Sequence, residues 1–139
     1  MSVNKVILVG NAGKNPDVRR FDSGSVVARF SVATNETFKG KDGNNTTHTE
    51  WHNVVVWGKL AEVAEKYIKS GTLLYVEGRI KTEKYDDKEG NTKTTTNIAC
   101  DTFRLLGGKH DSKEQSNTST QQPTQQNDVV QDPNDDLPF

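Results

Sequence analysis

Residues 50–85 read EWHNVVVWGKLAEVAEKYIKSGTLLYVEGRIKTEKY, a strand, a helix and a second strand in succession. In the first part, Glu50 to Trp57, a valine run between two tryptophans has the β-branched and aromatic content of a strand. Period-two alternation puts Trp51, Asn53, Val55 and Trp57 on one face and His52, Val54 and Val56 on the other. Alternation alone leaves two readings for the tryptophans, burial in a core or exposure on an aromatic face. Between Gly58 and Gly71, Leu60, Val63, Ala64, Tyr67 and Ile68 recur at i, i+3, i+4, i+7 and i+8, the apolar stripe of an amphipathic helix that Gly71 stops. From Leu73 to Tyr85 the period returns to two. Tyr75, Glu77, Arg79, Lys81, Glu83 and Tyr85 share an outer face, while Leu74, Val76, Gly78 and Ile80 point to a core.

Upstream, Val3 to Gly10 is a β-branched run ending at a turn, Gly10-Asn11-Ala12-Gly13. Val18 to Phe21 and Val26 to Thr34 flank Asp22-Ser23-Gly24-Ser25 as the arms of a hairpin. Lys39 to Thr47, rich in Gly, Asn and Lys, reads as an exposed loop. Downstream, Asp86 to Asn91 is a polar hairpin loop, and Lys93 to Leu106 forms the last strand. Counting the two arms of the hairpin as one unit, the order is three strands, a helix and two strands. It predicts an all-β OB-fold, a five-stranded Greek-key barrel with one helix between strands 3 and 4, although other small β-barrels share that order.

At 139 residues the chain suits one core. The single cysteine, Cys100, forms no internal disulfide and alternates with apolar neighbours, so it reads as a small buried side chain in a reducing compartment. No apolar stretch is long enough to span a membrane, and none is followed by a cleavage site, so a soluble, unsecreted protein is expected. The net charge of −1 conceals an asymmetry. Residues 1–108 carry 16 Lys/Arg against 13 Asp/Glu, and 109–139 carry 2 against 6. The second segment cannot bury enough apolar surface to offset chain entropy and is expected to be disordered. The expected division is a barrel over 1–108, a polar linker over 109–131 and an acidic tip over 132–139.

Exposed rings among lysines suit a single nucleic-acid strand, since every base has a π-face and every linkage a phosphate. The candidate rings are Phe38, Trp51, Trp57 and Tyr85, and the candidate phosphate contacts are Lys5, Arg19, Lys59, Lys81 and Lys84. Gly10-Asn11-Ala12-Gly13-Lys14 lacks the spacing of a phosphate loop and has Asn15 where such loops carry Ser or Thr, so it reads as a turn. His48, Glu50 and His52 alternate as metal ligands would, but no fourth ligand is placed beside them, and His52 reads more simply as a subunit-contact residue. The last residues, Asp135, Asp136, Leu137, Pro138 and Phe139, pair acidic charge with an aromatic, the chemistry of a short docking motif.

The segments NKVILVGNAGKNPDVR, TEWHNVVVWGKLAEVAEKYIKSG and YVEGRIKTEKY resemble the bacterial single-stranded DNA-binding protein family, and DDLPF resembles its acidic tip. The resemblance runs from Asn4 to about Gly108 and resumes at the last six residues. It implies a non-catalytic OB-fold homotetramer without cofactor, cytoplasmic and nucleoid-associated, that wraps single-stranded DNA with rings at Phe38, Trp51, Trp57 and Tyr85. It also implies a tip that docks on replication, recombination and repair proteins. The sequence departs from the family pattern in several places. Phe38 and Tyr85 stand where the best-known relatives have tryptophan, Asn53 replaces a common arginine, and Glu83 occupies an often basic position. Asn134 and Leu137 replace the usual aspartate and isoleucine of the tip. Two other functional readings follow from the same residues: an adaptor that works mainly through its tail, and a metal-dependent hydrolase built on His48, Glu50 and His52.

Overall fold

The computed structural model describes residues 1–107; the linker and tip expected beyond them lie outside this range. The elements are β1 (Val6–Ala12), β2 (Asp17–Arg20), β3 (Val26–Lys39), β4 (Asn45–Trp57), α1 (Lys59–Tyr67), β5 (Leu73–Asp86) and β6 (Thr92–Leu105). The sheet order is β1-β5-β6-β4-β3-β2, and a further β1–β3 pairing closes it. Four-residue β2 is an annex on β3, so five strands form the barrel and α1 falls between the third and fourth of them. This is the expected OB-fold arrangement.

Leu8, Phe30, Val32, Val54, Val56, Leu74, Val76, Ile98 and Phe103 fill the interior, and Ala61, Ala64 and Ile68 of the helix region close one end. The alternation read from β4 and the first half of β5 therefore holds. The helix stripe is turned from the expected one: Val63 and Tyr67 are exposed, while Ala61 joins the core. Two alanines let the short helix approach the barrel closely, and bulkier Val63 and Tyr67 lie to the side. Gly58 stands at the helix start with φ 64° and ψ −138°, a conformation that glycine adopts without steric cost.

The expected turn at Gly10–Gly13 is in part strand. β1 continues to Ala12, where Asn11 and Ala12 pair with Ala33 and Val32 of β3. A side chain at Gly10 would begin 2.1 Å from the Ala33 carbonyl oxygen, so glycine is what lets β1 cross from β5 to β3. Val3 is exposed ahead of β1. The expected loop Lys39–Thr47 is also largely strand. The β3–β4 ladder runs out to Lys39 opposite Asn45, leaving Gly40–Asn44 as the connection. Both sides of this ribbon are exposed, which explains the absence of an apolar period.

The β5–β6 pair makes a second ribbon. Glu77 faces Thr102 and Gly78 faces Cys100, so Asp101 is an extra residue, a bulge that bends β6. Beyond Gly78, β5 has no β1 residue beside it, since Val6 is the first paired residue of β1. Ile80, expected in the core, is consequently exposed, and the Asn4 side chain brackets its backbone, accepting from the Ile80 N–H at 3.0 Å and donating to its carbonyl at 2.9 Å. Cys100 is half-buried and packs against the core. Burial, with the Asp101 charge beside it, pushes its thiol up to about 11, so it stays protonated and unreactive at neutral pH.

Candidate nucleic-acid interface

Outside the barrel, β2, β3 and β4 present one face on which registers align side chains in rows. Arg19, Val27 and Trp57 form one row, and Asp17, Arg29 and Val55 form the next. Ser31 and Asn53 continue the pattern. Arg29 is exposed between buried Ala28 and Phe30, the one charged side chain in the Val26–Val32 part of β3. It is the common wall of four adjoining depressions. The first holds Arg19, Phe21 and Trp57, and the second Lys14, Asn53 and Asn97. The third holds Lys84, Tyr85 and Thr95, and the fourth Lys81, Glu83 and Ala99. Together they make a groove that crosses the short parallel seam between β4 and β6, where Val54 and Val55 pair with Ile98 and Ala99.

The four candidate rings are exposed, Phe38 by 53%, Trp51 by 56%, Trp57 by 54% and Tyr85 by 50%, which decides between the two readings left open for the tryptophans. The structure does not gather all four. Trp57 and Tyr85 line the groove on either side of Arg29. Trp51 lies at its edge: a side chain at Gly13 would begin 2.5 Å from the Trp51 ring and 2.7 Å from Ser31 Oγ, so the ring rests on bare glycine backbone. Phe38 pairs with Thr46 on the ribbon and shares the face of Thr34, Glu36, His48 and His52, opposite that of Trp51.

The cations divide in the same way. Arg19, Lys81 and Lys84 line the groove. Lys81 is held by Glu83 at 3.0 Å, and Glu83 also accepts from Asn97 at 3.4 Å. Lys5 is engaged by Glu77 on the β1–β5 side of the barrel, and Lys59 begins the helix, away from these depressions. Sequence reasoning missed Lys14, Phe21 and Arg29. Among the described residues, Lys14, Arg19, Arg29 and Lys84 line the groove without an ion-pair partner. The signal for Arg29 was its isolation within the apolar run Val26–Val32. Phe21 ends the hairpin arm and lies 6.4 Å from the Trp57 ring, with planes 15° apart.

His52 is half-buried, its Nε2 2.9 Å from Thr34 Oγ1, and His48 Nε2 lies 3.4 Å from Glu50. Among the described residues no three His, Cys, Asp or Glu side chains are grouped to hold a metal ion, so the metal-dependent reading of His48, Glu50 and His52 has no geometry behind it. The Gly13 N–H, which a phosphate loop would aim at its ligand, is spent on the Ser31 carbonyl at 2.9 Å. Edge strand β2 is tied to the helix by Arg20 and Glu65 at 2.7 Å, a contact that holds the Glu65 carboxyl below its usual range and the Arg20 guanidinium above it. No helix among the described residues is long and apolar enough to cross a membrane.

An OB-fold barrel whose outer groove carries exposed rings and cations that have no ion-pair partner among the described residues defines the class. The single-strand binding protein family model matches residues 3–106, and the chain belongs to that family. It is 45% identical over 111 residues to the single-stranded DNA-binding protein of Neisseria meningitidis serogroup A, a match covering 80% of this chain and 64% of that protein, slightly under two thirds of its length. Single-stranded DNA-binding protein 1 of Xylella fastidiosa is 43% identical over 117 residues, 84% of this chain and 86% of the relative. Among solved structures, the Plasmodium falciparum SSB complex with ssDNA superposes with a TM-score of 0.71 at 30% identity, covering 77% of this chain and 97% of that one.

Proposed function

We propose that this protein coats single-stranded DNA without regard to sequence. The observation that carries the reading is the grouping of half-exposed Trp57 and Tyr85 around Arg29, with Trp51 at the groove's edge; among the described residues Arg29 has no carboxylate partner. Bases stack on the rings at about 1 to 3 kcal/mol each, a contribution indifferent to base identity. Lys14, Arg19, Arg29 and Lys84 meet phosphates, and Lys81 joins them when Glu83 gives way. A strand leaving the groove continues over the ribbon to Phe38, with Lys5 and Lys59 as outlying contacts. The protein works as a homotetramer with His52 in a subunit contact, in replication, recombination and repair in the cytoplasm. It needs no cofactor and catalyses no reaction. Asp135, Asp136, Leu137, Pro138 and Phe139 recruit the proteins of those processes.

Titration with poly(dT) at low salt quenches Trp51 and Trp57 fluorescence, and log affinity falls with log salt by about 0.7 per phosphate neutralised. Unchanged fluorescence at low salt would remove the basis of the reading. Deleting residues 132–139 leaves DNA affinity unchanged or raised, because an acidic segment no longer competes for the groove, and abolishes binding of partner proteins. A loss of DNA affinity after the deletion contradicts the assignment of the tip. The adaptor reading draws on Asn53 and Glu83 in the groove, where a basic residue would grip DNA better; nanomolar affinity for oligo(dT) excludes it.

A further inference from the structure

Asp17 is out of place in a groove built for a polyanion. Its carboxylate lines the groove beside Phe21 and Trp57, directly across the β2–β3 ladder from Arg29. Among the described residues neither side chain makes an ion pair or a side-chain hydrogen bond. A carboxylate facing phosphates is repelled, and an Asp opposite an Arg ordinarily pairs with it. An adjacent acceptor and donor left open beside a platform of two near-parallel rings match a ligand that is flat and presents both kinds of edge.

We propose, building on the strand-coating function above, that Asp17, Arg29, Phe21 and Trp57 form a guanine-preferring pocket within the otherwise sequence-tolerant groove. The base lies on the Phe21–Trp57 platform. Guanine alone among the four bases offers two neighbouring N–H donors, N1 and N2, to a carboxylate, with acceptors O6 and N7 next along its rim for a guanidinium. Thymine has a single imide N–H between two carbonyl oxygens that a carboxylate repels. Adenine brings one amino group between two ring acceptors, N1 and N7, and cytosine one amino group beside the single ring acceptor N3, so neither offers a carboxylate two neighbouring N–H groups. Asp17 therefore selects by attraction to guanine and by repulsion of thymine, the two components of a specificity device.

The test compares equilibrium affinities of the full chain for strands of one length, all thymine or with guanines spaced too widely to associate. The quantity read is the affinity ratio of the two strands within each protein. The expected ratio is about tenfold for this chain, the discrimination one bidentate contact supplies. Replacing guanine by hypoxanthine, which lacks the N2 amino group, or by an analogue lacking N7 lowers the ratio without altering the protein. Asp17→Asn brings it to about one. A ratio of one for the unaltered chain, or a ratio that survives both Asp17→Asn and hypoxanthine, overturns the proposal. If neither strand binds, the strand-coating function falls as well, and the two failures are thereby told apart. GMP that quenches Trp57 to saturation while leaving the strand ratio intact would assign the guanine chemistry to a free nucleotide and overturn the strand assignment.

Discussion

Replacing Trp57 and Tyr85 together by alanine is expected to cost about 2 to 6 kcal/mol of single-strand affinity, the sum of two stacking contacts. The rings stand on opposite sides of Arg29, on β4 and on the β5–β6 ribbon, with no contact between them to couple their losses. Each is about half exposed, so the fold loses little when they go. The salt dependence should be nearly unchanged, because the groove cations Lys14, Arg19, Arg29 and Lys84 remain. Binding titrations at several salt concentrations, with thermal unfolding of the same variant, check this. Full affinity in the double variant would mean that bases do not lie in this groove.

Gly10→Ala is expected to destabilise the folded protein by about 3 kcal/mol, at the upper end of overpacking penalties. The new Cβ would stand 2.1 Å from the Ala33 carbonyl oxygen and 2.9 Å from Val32 Cγ1, and backbone cannot turn aside as a flexible side chain can. The β1–β3 contact consists of two residue pairs, so displacing it opens the barrel. For a domain of this size the unfolding temperature falls by roughly 12–24 °C. Gly43→Ala is the informative contrast. Its φ of 84° strains any side chain, yet nothing lies within 4 Å, so only the backbone penalty of about 1 to 2 kcal/mol applies. Equal effects at the two positions would refute the close-approach argument.

The parts of the fold visible in the sequence are those where one face is wet and the other dry. Val54 and Val56 against Trp51 and Trp57, and Leu74 and Val76 against Tyr75 and Glu77, carry a period because the barrel wall separates two environments there. Where both faces are wet the period vanishes, and Lys39–Thr47 reads as a loop although Lys39 and Asn45–Thr47 belong to the β3–β4 ladder. Ile80 kept the inward parity after the wall had ended. The candidate site was legible residue by residue but not as an arrangement. Trp57, Tyr85, Arg19, Lys81 and Lys84 are type-consistent wherever they lie. The pairing of Lys5 with Glu77 and of Lys81 with Glu83, and the placing of Asp17 and Val55 beside Arg29, depend on registers between distant strands. Phe38 illustrates the converse, since its exposure was expected but its face depended on the ladder continuing beyond Thr34.

The parallel seam of two residue pairs between β4 and β6, together with the equally brief β1–β3 contact, divides the barrel into two leaves, β2–β3–β4 and β1–β5–β6. The groove floor takes Val55 from one leaf and Asn97 and Ala99 from the other. Whatever occupies it therefore straps the leaves together across their narrowest weld, and the occupied molecule resists parting by the full free energy of the strap.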